Sequence, residues 1–374
     1  MTDSTSLVPR AAIRAMPAYK PPQEGRRGLR LDFNENTEGC SPRVIEALRQ
    51  TSAQALAEDL ARYPEYDAAE AEIAAFFGHT PATALVTNGV DDAILLAVTT
   101  YLDPGSEAII VTPTFAMYRF YCQQAGVVPV EVAYQEYEVE TGVREFRLSI
   151  EAVLAAVTAR TRAIFIATPN NPTGNHTPET QILALARLLP ECLIFADEAY
   201  ADFVDPAAAS SAGYEGLLPA VEETPNLLVA RTFSKAYGLA GARLGCLFAH
   251  PGALPWLRKA HSPYNVNTLA LRCGRAALAD AAWAQAYCIE AVASRAVVEA
   301  TLTELGITYW KSQANFVLFD SGDRTTALIA GLRARGVLIR DRRGDWPGAA
   351  RISCGRLETT RRACAAFTEV WREL

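Results

Sequence analysis

Apolar runs alternate along most of the chain with segments whose apolar positions recur every three or four residues. The runs lie at 85–87, 108–111, 163–166, 193–196, 227–230 and, more weakly, 244–248. Segments such as 91–101 and 178–189 lie between them and have helical length. Near-continuous apolar strands that alternate with helices are typical of a parallel sheet covered on both faces. The pattern therefore predicts an α/β fold with a three-layer α/β/α large domain and a mostly parallel sheet.

The two ends of the chain have a different pattern. A helix-like stretch at 269–305 leads to strand-like runs at 315–319 and 337–340 and to a final helix from about 359, which together predict a smaller α+β domain. The first part is rich in proline and glycine and has little periodicity, so it predicts an irregular arm. We predict an arm at 1–40 that joins the smaller domain, a large domain at 41–262 and a small domain at 263–374.

Composition narrows the function classes. The 374 residues exceed the size at which one core usually stops growing, and a hydrophobic share of 50% with 21% charged residues is globular. A net charge of -7 argues against nucleic-acid or membrane partners. The eight cysteines are scattered without a C-x-x-C pair, so no metal site is expected. The N-terminus lacks the apolar run of a secretory signal, which favours a cytoplasmic location.

Four motifs each follow a predicted strand, where parallel sheets place their ligands. The segment 232–241 contains Lys235, whose amine can be desolvated there. Desolvation favours the neutral amine, which is the nucleophile needed for a Schiff base. Taken alone, a surface lysine at the start of a helix explains this motif equally well.

The other three motifs supply complementary groups. Asp197, in 197–200, can lie against a ring nitrogen and keep it protonated, although a helix N-cap or a salt bridge is the commoner explanation. The segment 169–174 contains Asn171 in a proline- and glycine-rich turn. The segment 88–92 opens a helix whose free N–H groups suit a phosphate, with a plain glycine turn as the alternative.

Taken together, the order and spacing of the four motifs resemble fold type I pyridoxal-phosphate enzymes. The segment 232–241 resembles the attachment site of class II aminotransferases, T-[aromatic or aliphatic]-[small]-K-[small]-x-[small]-x-x-[small]. The resemblance covers nearly the whole chain. It implies pyridoxal 5′-phosphate as cofactor and aminotransferase activity on an amino donor and a 2-oxo acid.

The resemblance also implies roles for individual residues. Lys235 would attach the cofactor and move a proton, and Asp197 would pair with the ring nitrogen. Asn171 and Tyr200 would hydrogen-bond the ring oxygen, and Phe115 would stack on the ring. The cofactor phosphate would be held by Gly89, Val90, Asp91, Thr232, Ser234 and Arg243. Tyr63 would reach the cofactor phosphate of a neighbouring subunit, which implies a homodimer with a shared active site.

The ends of the chain most resemble histidinol-phosphate aminotransferases, at 13–21, 31–36, 337–340 and 350–355. This implies amino transfer from histidinol phosphate to 2-oxoglutarate in histidine biosynthesis. Both substrates are anions, and a guanidinium can bind phosphate or carboxylate through two parallel hydrogen bonds, in bidentate geometry. The substrate-binding residues implied are Arg351, Arg340, Tyr19, Asn88 and Tyr264. The chain departs from the family pattern at Thr37, Cys40 and Phe115.

Three other functions share parts of this pattern. An aromatic amino-acid aminotransferase has the same arm and uses an arginine at the position of Arg351 for an α-carboxylate. A pyridoxal-phosphate decarboxylase acting on an amino-acid phosphate differs in which Cα bond breaks. A ligand sensor without enzymatic activity would carry a DNA-binding domain, for which the chain has no room before Asn34.

Overall fold

The computed structural model describes residues 7–18, 27–205 and 215–374. Within these residues, the strands form two seven-stranded sheets. The strands are β1 Leu29–Leu31, β2 Ala84–Thr87, β3 Glu107–Thr112, β4 Val128–Ala133, β5 Gln135–Glu140, β6 Val143–Arg147, β7 Thr161–Ala167, β8 Leu193–Asp197, β9 Leu227–Thr232, β10 Gly245–Ala249, β11 Thr308–Trp310, β12 Phe316–Asp320, β13 Val337–Asp341 and β14 Ala349–Ser353.

Helices cover the sheets and connect most of the strands. They are α1 Ala11–Ala15, α2 Pro42–Gln50, α3 Ala53–Ala61, α4 Asp67–Phe76, α5 Gly89–Tyr101, α6 Met117–Ala125, α7 Ile150–Ala155, α8 Glu179–Leu188, α9 Leu254–Ala260, α10 Thr268–Leu278, α11 Ala281–Glu304, α12 Thr325–Ala334 and α13 Leu357–Glu373. None of the helices in the described ranges is long and apolar enough to cross a bilayer.

The first sheet has the order β2-β10-β9-β8-β7-β3-β4. Strands β9, β8, β7, β3 and β4 are parallel, and β10 runs antiparallel to both of its neighbours. Side chains of β3 alternate between two cores: Ala108 and Ile110 pack with α5, while Ile109 and Val111 pack in the core that contains residues of α8. The predicted three-layer arrangement with a mostly parallel sheet is confirmed.

The second sheet has the order β1-β13-β14-β12-β11-β6-β5 and mixes parallel with antiparallel pairs. Its core is formed with residues of α11, α12 and α13. Strand β1 pairs in parallel with β13, so residues 29–31 of the predicted arm belong to this sheet. Strands β5 and β6 also join it, although they lie within the predicted large domain at 41–262. The division of the chain at residue 262 stays a prediction.

The apolar pattern located most strands of the first sheet, including β2 at one edge, but not β4 or β5, each of which lies at the edge of a sheet. Strands β4 and β5 have mostly exposed or half-buried positions and therefore lack a continuous apolar run. The predicted helix-like stretch at 269–305 is two helices, α10 and α11, that are separated at Ala279 and Asp280. Both residues are compatible with a helix, so the break carries no strong sequence signal.

Candidate active site

The predicted cofactor residues converge where the strands of the first sheet end. Strand β8 ends at Asp197, and β9, its parallel neighbour, ends at Thr232, three residues before Lys235. The turn after β2 carries Asn88 and Gly89, where α5 begins. The sheet thus brings groups from distant parts of the chain to one edge, as expected for an open parallel sheet.

Lys235 lies half-buried at the centre of this edge. Its Nζ donates a hydrogen bond to the Phe33 carbonyl at 3.1 Å and lies 5.6 Å from the centre of the Tyr200 ring. The backbone of its turn is closed by hydrogen bonds from Gly238 N–H to the Lys235 carbonyl and from Leu239 N–H to the Phe233 carbonyl. The amine therefore projects from an ordered turn and does not belong to a freely moving surface chain.

Asp197 is buried with a relative exposure of 5%. Its Oδ2 accepts from the Tyr118 hydroxyl at 2.6 Å, and its Oδ1 accepts from the Ala199 N–H at 3.0 Å. Burial raises the pKa of Asp197 to about 6, against the lowering effect of these two hydrogen bonds. Both donors are neutral and a carboxylate has further acceptor sites, so the geometry suits a cationic ring nitrogen.

Tyr118 was missed by sequence reasoning. It lies on α6, three residues after Phe115, and its ring stacks on Phe165 with the centroids 5.5 Å apart. Burial and the charge of Asp197 raise the pKa of Tyr118 well above its ordinary value, so it acts as a hydrogen-bond donor. The position of Tyr118 three residues after Phe115 was the one available signal in the sequence, but this spacing does not identify Asp197 as its hydrogen-bond partner.

Asn171 and Arg351 form the next part of the site. One Arg351 amino group donates to Oδ1 of Asn171, and Nη2 donates to the Asp32 carbonyl at 2.9 Å. The guanidinium lies 5.0 Å from the centre of the Phe316 ring. Since Oδ1 of Asn171 is taken up as an acceptor, the amide nitrogen remains as the donor for a ligand.

Burial lowers the pKa of Arg351 to about 9, and the positive charges of Arg342 and Arg340 act in the same direction. Nε of Arg351 and Nη1 of Arg340 are buried without a hydrogen-bond partner within the described ranges. The two arginines face each other as paired residues of the antiparallel strands β13 and β14. This concentration of positive charge, with Arg351 buried and Arg340 half-buried, is suited to an anion that binds from solvent.

The end of the site nearest α5 has the features of a phosphate cradle. Gly89 has φ +74°, and a side-chain carbon there would lie 2.6 Å from Nη2 of Arg243. Arg243 Nη2 is 3.0 Å from Oδ2 of Asp91, and Nη1 lies 3.5 Å from Oγ of Ser234. Burial raises the pKa of Asp91, while Arg243 opposes the shift. Thr232 Oγ1 accepts from the Ser234 N–H at 3.1 Å, which fixes the adjacent turn.

Four predicted residues lie around the same edge. Val90 is buried in the first turn of α5, and the Asn88 N–H donates to Oδ2 of Asp92 at 2.9 Å. Phe115 is half-buried and packs edge-on against Tyr118, with ring centroids 5.8 Å apart. The Arg340 guanidinium lies 5.0 Å from the centre of the Phe33 ring.

The remaining predicted residues are not brought into this group. Tyr63 and Tyr264 are 74% and 55% exposed, and their rings stack on each other with centroids 4.2 Å apart. They form an aromatic pair on the surface of the chain. Tyr19 lies outside the described residues.

The residues present fit pyridoxal phosphate by their chemistry. Lys235 offers an amine, and the hydrogen bonds to the buried Asp197 carboxylate come from neutral donors. The Arg243 guanidinium lies beside the first residue of α5, where Gly89 leaves room for it. Helix N-termini and arginine forks are both suited to phosphate. The aldehyde, the ring nitrogen and the phosphate of the cofactor would therefore each have a complementary side chain in the site.

Comparison with known proteins gives matches over nearly the full length. The family model described as aminotransferase class I and II matches residues 26–367. The histidinol-phosphate aminotransferase of Ruegeria pomeroyi is 35% identical over 333 residues, which cover 87% of this chain and 86% of that protein. The histidinol-phosphate aminotransferase of Symbiobacterium thermophilum is 34% identical over 372 residues, which cover 96% of this chain and 97% of that protein.

A solved structure extends the comparison to three dimensions. The crystal structure of histidinol-phosphate aminotransferase from Sinorhizobium meliloti in complex with pyridoxal-5′-phosphate has a TM-score of 0.84 to this chain. The sequence identity is 26%, and the match covers 100% of both chains.

Proposed function

This chain belongs to the class I and II aminotransferase family, and we propose that it transfers the amino group of histidinol phosphate to 2-oxoglutarate. Its cofactor is pyridoxal 5′-phosphate, as in the similar enzyme of Sinorhizobium meliloti. The substrate is proposed from relatives that span nearly the whole chain. The structural observation that supports it is the buried Arg351, whose Nε has no hydrogen-bond partner within the described residues and whose guanidinium is hydrogen-bonded to Asn171.

The proposed chemistry uses a small number of side chains. When bound, pyridoxal phosphate supplies an electron sink that stabilises negative charge at the substrate Cα. Asp197 holds a proton on the ring nitrogen, because a buried carboxylate is stabilised by an adjacent cation. Asn171 and Tyr200 donate hydrogen bonds to the ring oxygen. Nζ of Lys235, once free as an amine, takes the proton from the substrate Cα as the general base.

Anion recognition is assigned to the two arginines of β13 and β14. Arg351 binds the phosphate of the amino donor in one half of the reaction and a carboxylate of the oxo acid in the other. Arg340 adds charge beside it, since the two residues are paired across the strands. Asn171 accepts from Arg351, so binding of an anion by the guanidinium is coupled to the position of Asn171.

We also propose a homodimer, in which the exposed pair Tyr63 and Tyr264 belongs to the shared active site. Tyr19 and Asn88 are proposed to line the substrate pocket. Two points stay predictions. One is the division into an arm at 1–40, a large domain at 41–262 and a small domain at 263–374, and the other is a cytoplasmic location.

The substrate proposal is tested by a half-reaction screen. The cofactor-loaded protein is mixed in turn with histidinol phosphate, glutamate, phenylalanine and tyrosine, and loss of the absorbance of the lysine-linked cofactor is followed. Histidinol phosphate and glutamate should remove it fastest. If phenylalanine or tyrosine removes it and histidinol phosphate does not, the chain is an aromatic amino-acid aminotransferase. Release of carbon dioxide would indicate the decarboxylase.

The cofactor attachment has its own control. Lys235→Ala should abolish the covalent linkage to pyridoxal phosphate, measured by mass after borohydride reduction. Lys259→Ala, which removes an amine beside the exposed Trp256 ring, should leave the linkage intact. A linkage that survives in Lys235→Ala would refute the assignment of Lys235.

A further inference from the structure

Asn34 lies in a buried position between the second sheet and Tyr200. Its relative exposure is 1%, and its Nδ2 donates to the Tyr200 hydroxyl at 3.0 Å. Tyr200 is itself 7% exposed, and its ring packs edge-on against Phe316 with centroids 5.2 Å apart. The amide of Asn34 therefore contacts the hydroxyl group that is proposed to bind the cofactor ring oxygen.

The orientation of this amide is fixed by Ser353. Oγ of Ser353 donates to Oδ1 of Asn34 at 2.9 Å, and the Asn34 N–H donates to the same Oγ at 3.0 Å. A serine hydroxyl has one proton and two acceptor sites, so both bonds can form together. Because Oδ1 is held by Ser353, the amide nitrogen must face Tyr200.

The direction of this hydrogen bond determines where the Tyr200 proton can go. A phenol has a single proton, and a hydroxyl that accepts from an amide N–H keeps that proton for another acceptor. We infer that Asn34 is a positioning residue that directs the Tyr200 proton toward the ring oxygen of pyridoxal phosphate. The inference rests on the proposed function, which places that oxygen beside Tyr200.

The backbone of Asn34 explains why asparagine suits this position. Its φ is +55°, in the left-handed region that asparagine and glycine adopt more readily than other residues. Asn315 Nδ2 donates to the Asn34 carbonyl at 3.3 Å and holds this conformation. Glycine would satisfy the backbone without the amide, and aspartate would replace the donor by an acceptor. These two substitutions therefore separate the backbone requirement from the hydrogen bond.

The experiment measures the pH midpoint of the absorbance change of the lysine-linked cofactor. The nitrogen that links Lys235 to the cofactor, when it is protonated, donates a hydrogen bond to the ring oxygen. A hydrogen bond from the Tyr200 hydroxyl to the same oxygen competes with it. Loss of the Tyr200 hydrogen bond should therefore favour the protonated nitrogen and raise the pH midpoint. For Tyr200→Phe the rise should be about one to two pH units, the equivalent of one hydrogen bond to a charged group.

Asn34→Asp should approach the midpoint of Tyr200→Phe, because aspartate accepts the Tyr200 proton. Asn34→Gly preserves the backbone conformation and should shift the midpoint in the same direction, but by less than Asn34→Asp. This variant also keeps the test available if the buried aspartate prevents folding. Both variants should also weaken cofactor binding by the cofactor-free protein. Asn34→Gly combined with Tyr200→Phe should have the midpoint of Tyr200→Phe alone, because Asn34 acts through that hydroxyl.

Asn226→Asp is the matched control. The Asn226 amide donates to the carbonyls of Ala186, Leu189 and Cys192 before β9, so this variant should lose stability without moving the midpoint. Unchanged midpoints in both Asn34 variants, or additive shifts in the double variant, would overturn the inference. If Tyr200→Phe itself leaves the midpoint unchanged, the proposed role of Tyr200 fails, which is a separate outcome.

Discussion

Gly89→Ala should weaken cofactor binding by displacing Arg243. The added carbon would lie 2.6 Å from Nη2, and ordinary contact begins near 3.4 Å, so the guanidinium must withdraw by most of an ångström. Arg243 is also tied to Asp91 at 3.0 Å, which restricts the directions in which it can move. Loss of one hydrogen bond between the guanidinium and the phosphate costs about 1.5–3 kcal/mol. The Kd for pyridoxal phosphate should therefore rise about ten- to a hundredfold.

The assay is a fluorescence titration of the cofactor-free protein with pyridoxal phosphate. Gly105→Ala separates the contact from backbone strain, because Gly105 has φ +88° but no atom within 4 Å of an added carbon. A left-handed conformation costs a non-glycine residue about 1–2 kcal/mol, so both variants should lose stability. Only Gly89→Ala should lose affinity. Equal Kd values for the two variants would refute the reasoning.

Two further predictions concern charge in the site. Burial raises the pKa of Asp197 to about 6 from 3.8 in the cofactor-free protein. Because ionisation is disfavoured in the folded state, the free energy of unfolding should fall by about 3 kcal/mol relative to Asp197→Asn as the pH rises from about 4 to about 6. Urea unfolding at several pH values measures this difference, and a difference that does not change with pH would contradict the prediction. Arg351→Ala should raise KM for both anionic substrates about ten- to a hundredfold. Steady-state kinetics should show no such change for Arg343→Ala, which removes an exposed arginine paired with Asp341; equal effects would remove Arg351 from the site.

The parts of the site that follow strands could be predicted from the sequence. Asp197 ends a buried apolar strand and Lys235 follows another by three residues, so the local pattern places both at the same edge of a parallel sheet. Gly89 was predicted as part of a phosphate-binding turn, but its close approach to Arg243 depends on a residue far along the chain. The position of a site residue relative to the strands can therefore be predicted from the sequence, whereas contacts between loops cannot.

The hydrogen-bond partners of the predicted residues were not found for the same reason. Tyr118 contacts Asp197 across 79 positions, and Asn34 contacts Tyr200 across 166. Neither partner has an unusual local pattern, because its role depends on tertiary packing. Asn34 did fall within the segment 31–36 that resembles histidinol-phosphate aminotransferases, but resemblance without a contact gave it no role.

Residues 32–34 connect functional side chains that the motifs treat separately. The Asp32 carbonyl accepts from Arg351, the Phe33 carbonyl accepts from Lys235, and the Asn34 amide donates to Tyr200. These three residues directly follow β1, which is paired with β13 of the second sheet. Since the carbonyls and the amide lie on consecutive residues, they cannot shift independently. The second sheet is therefore linked through one short segment to Lys235, Tyr200 and Arg351, the residues proposed to attach the cofactor, to bind its ring oxygen and to bind the substrate anion.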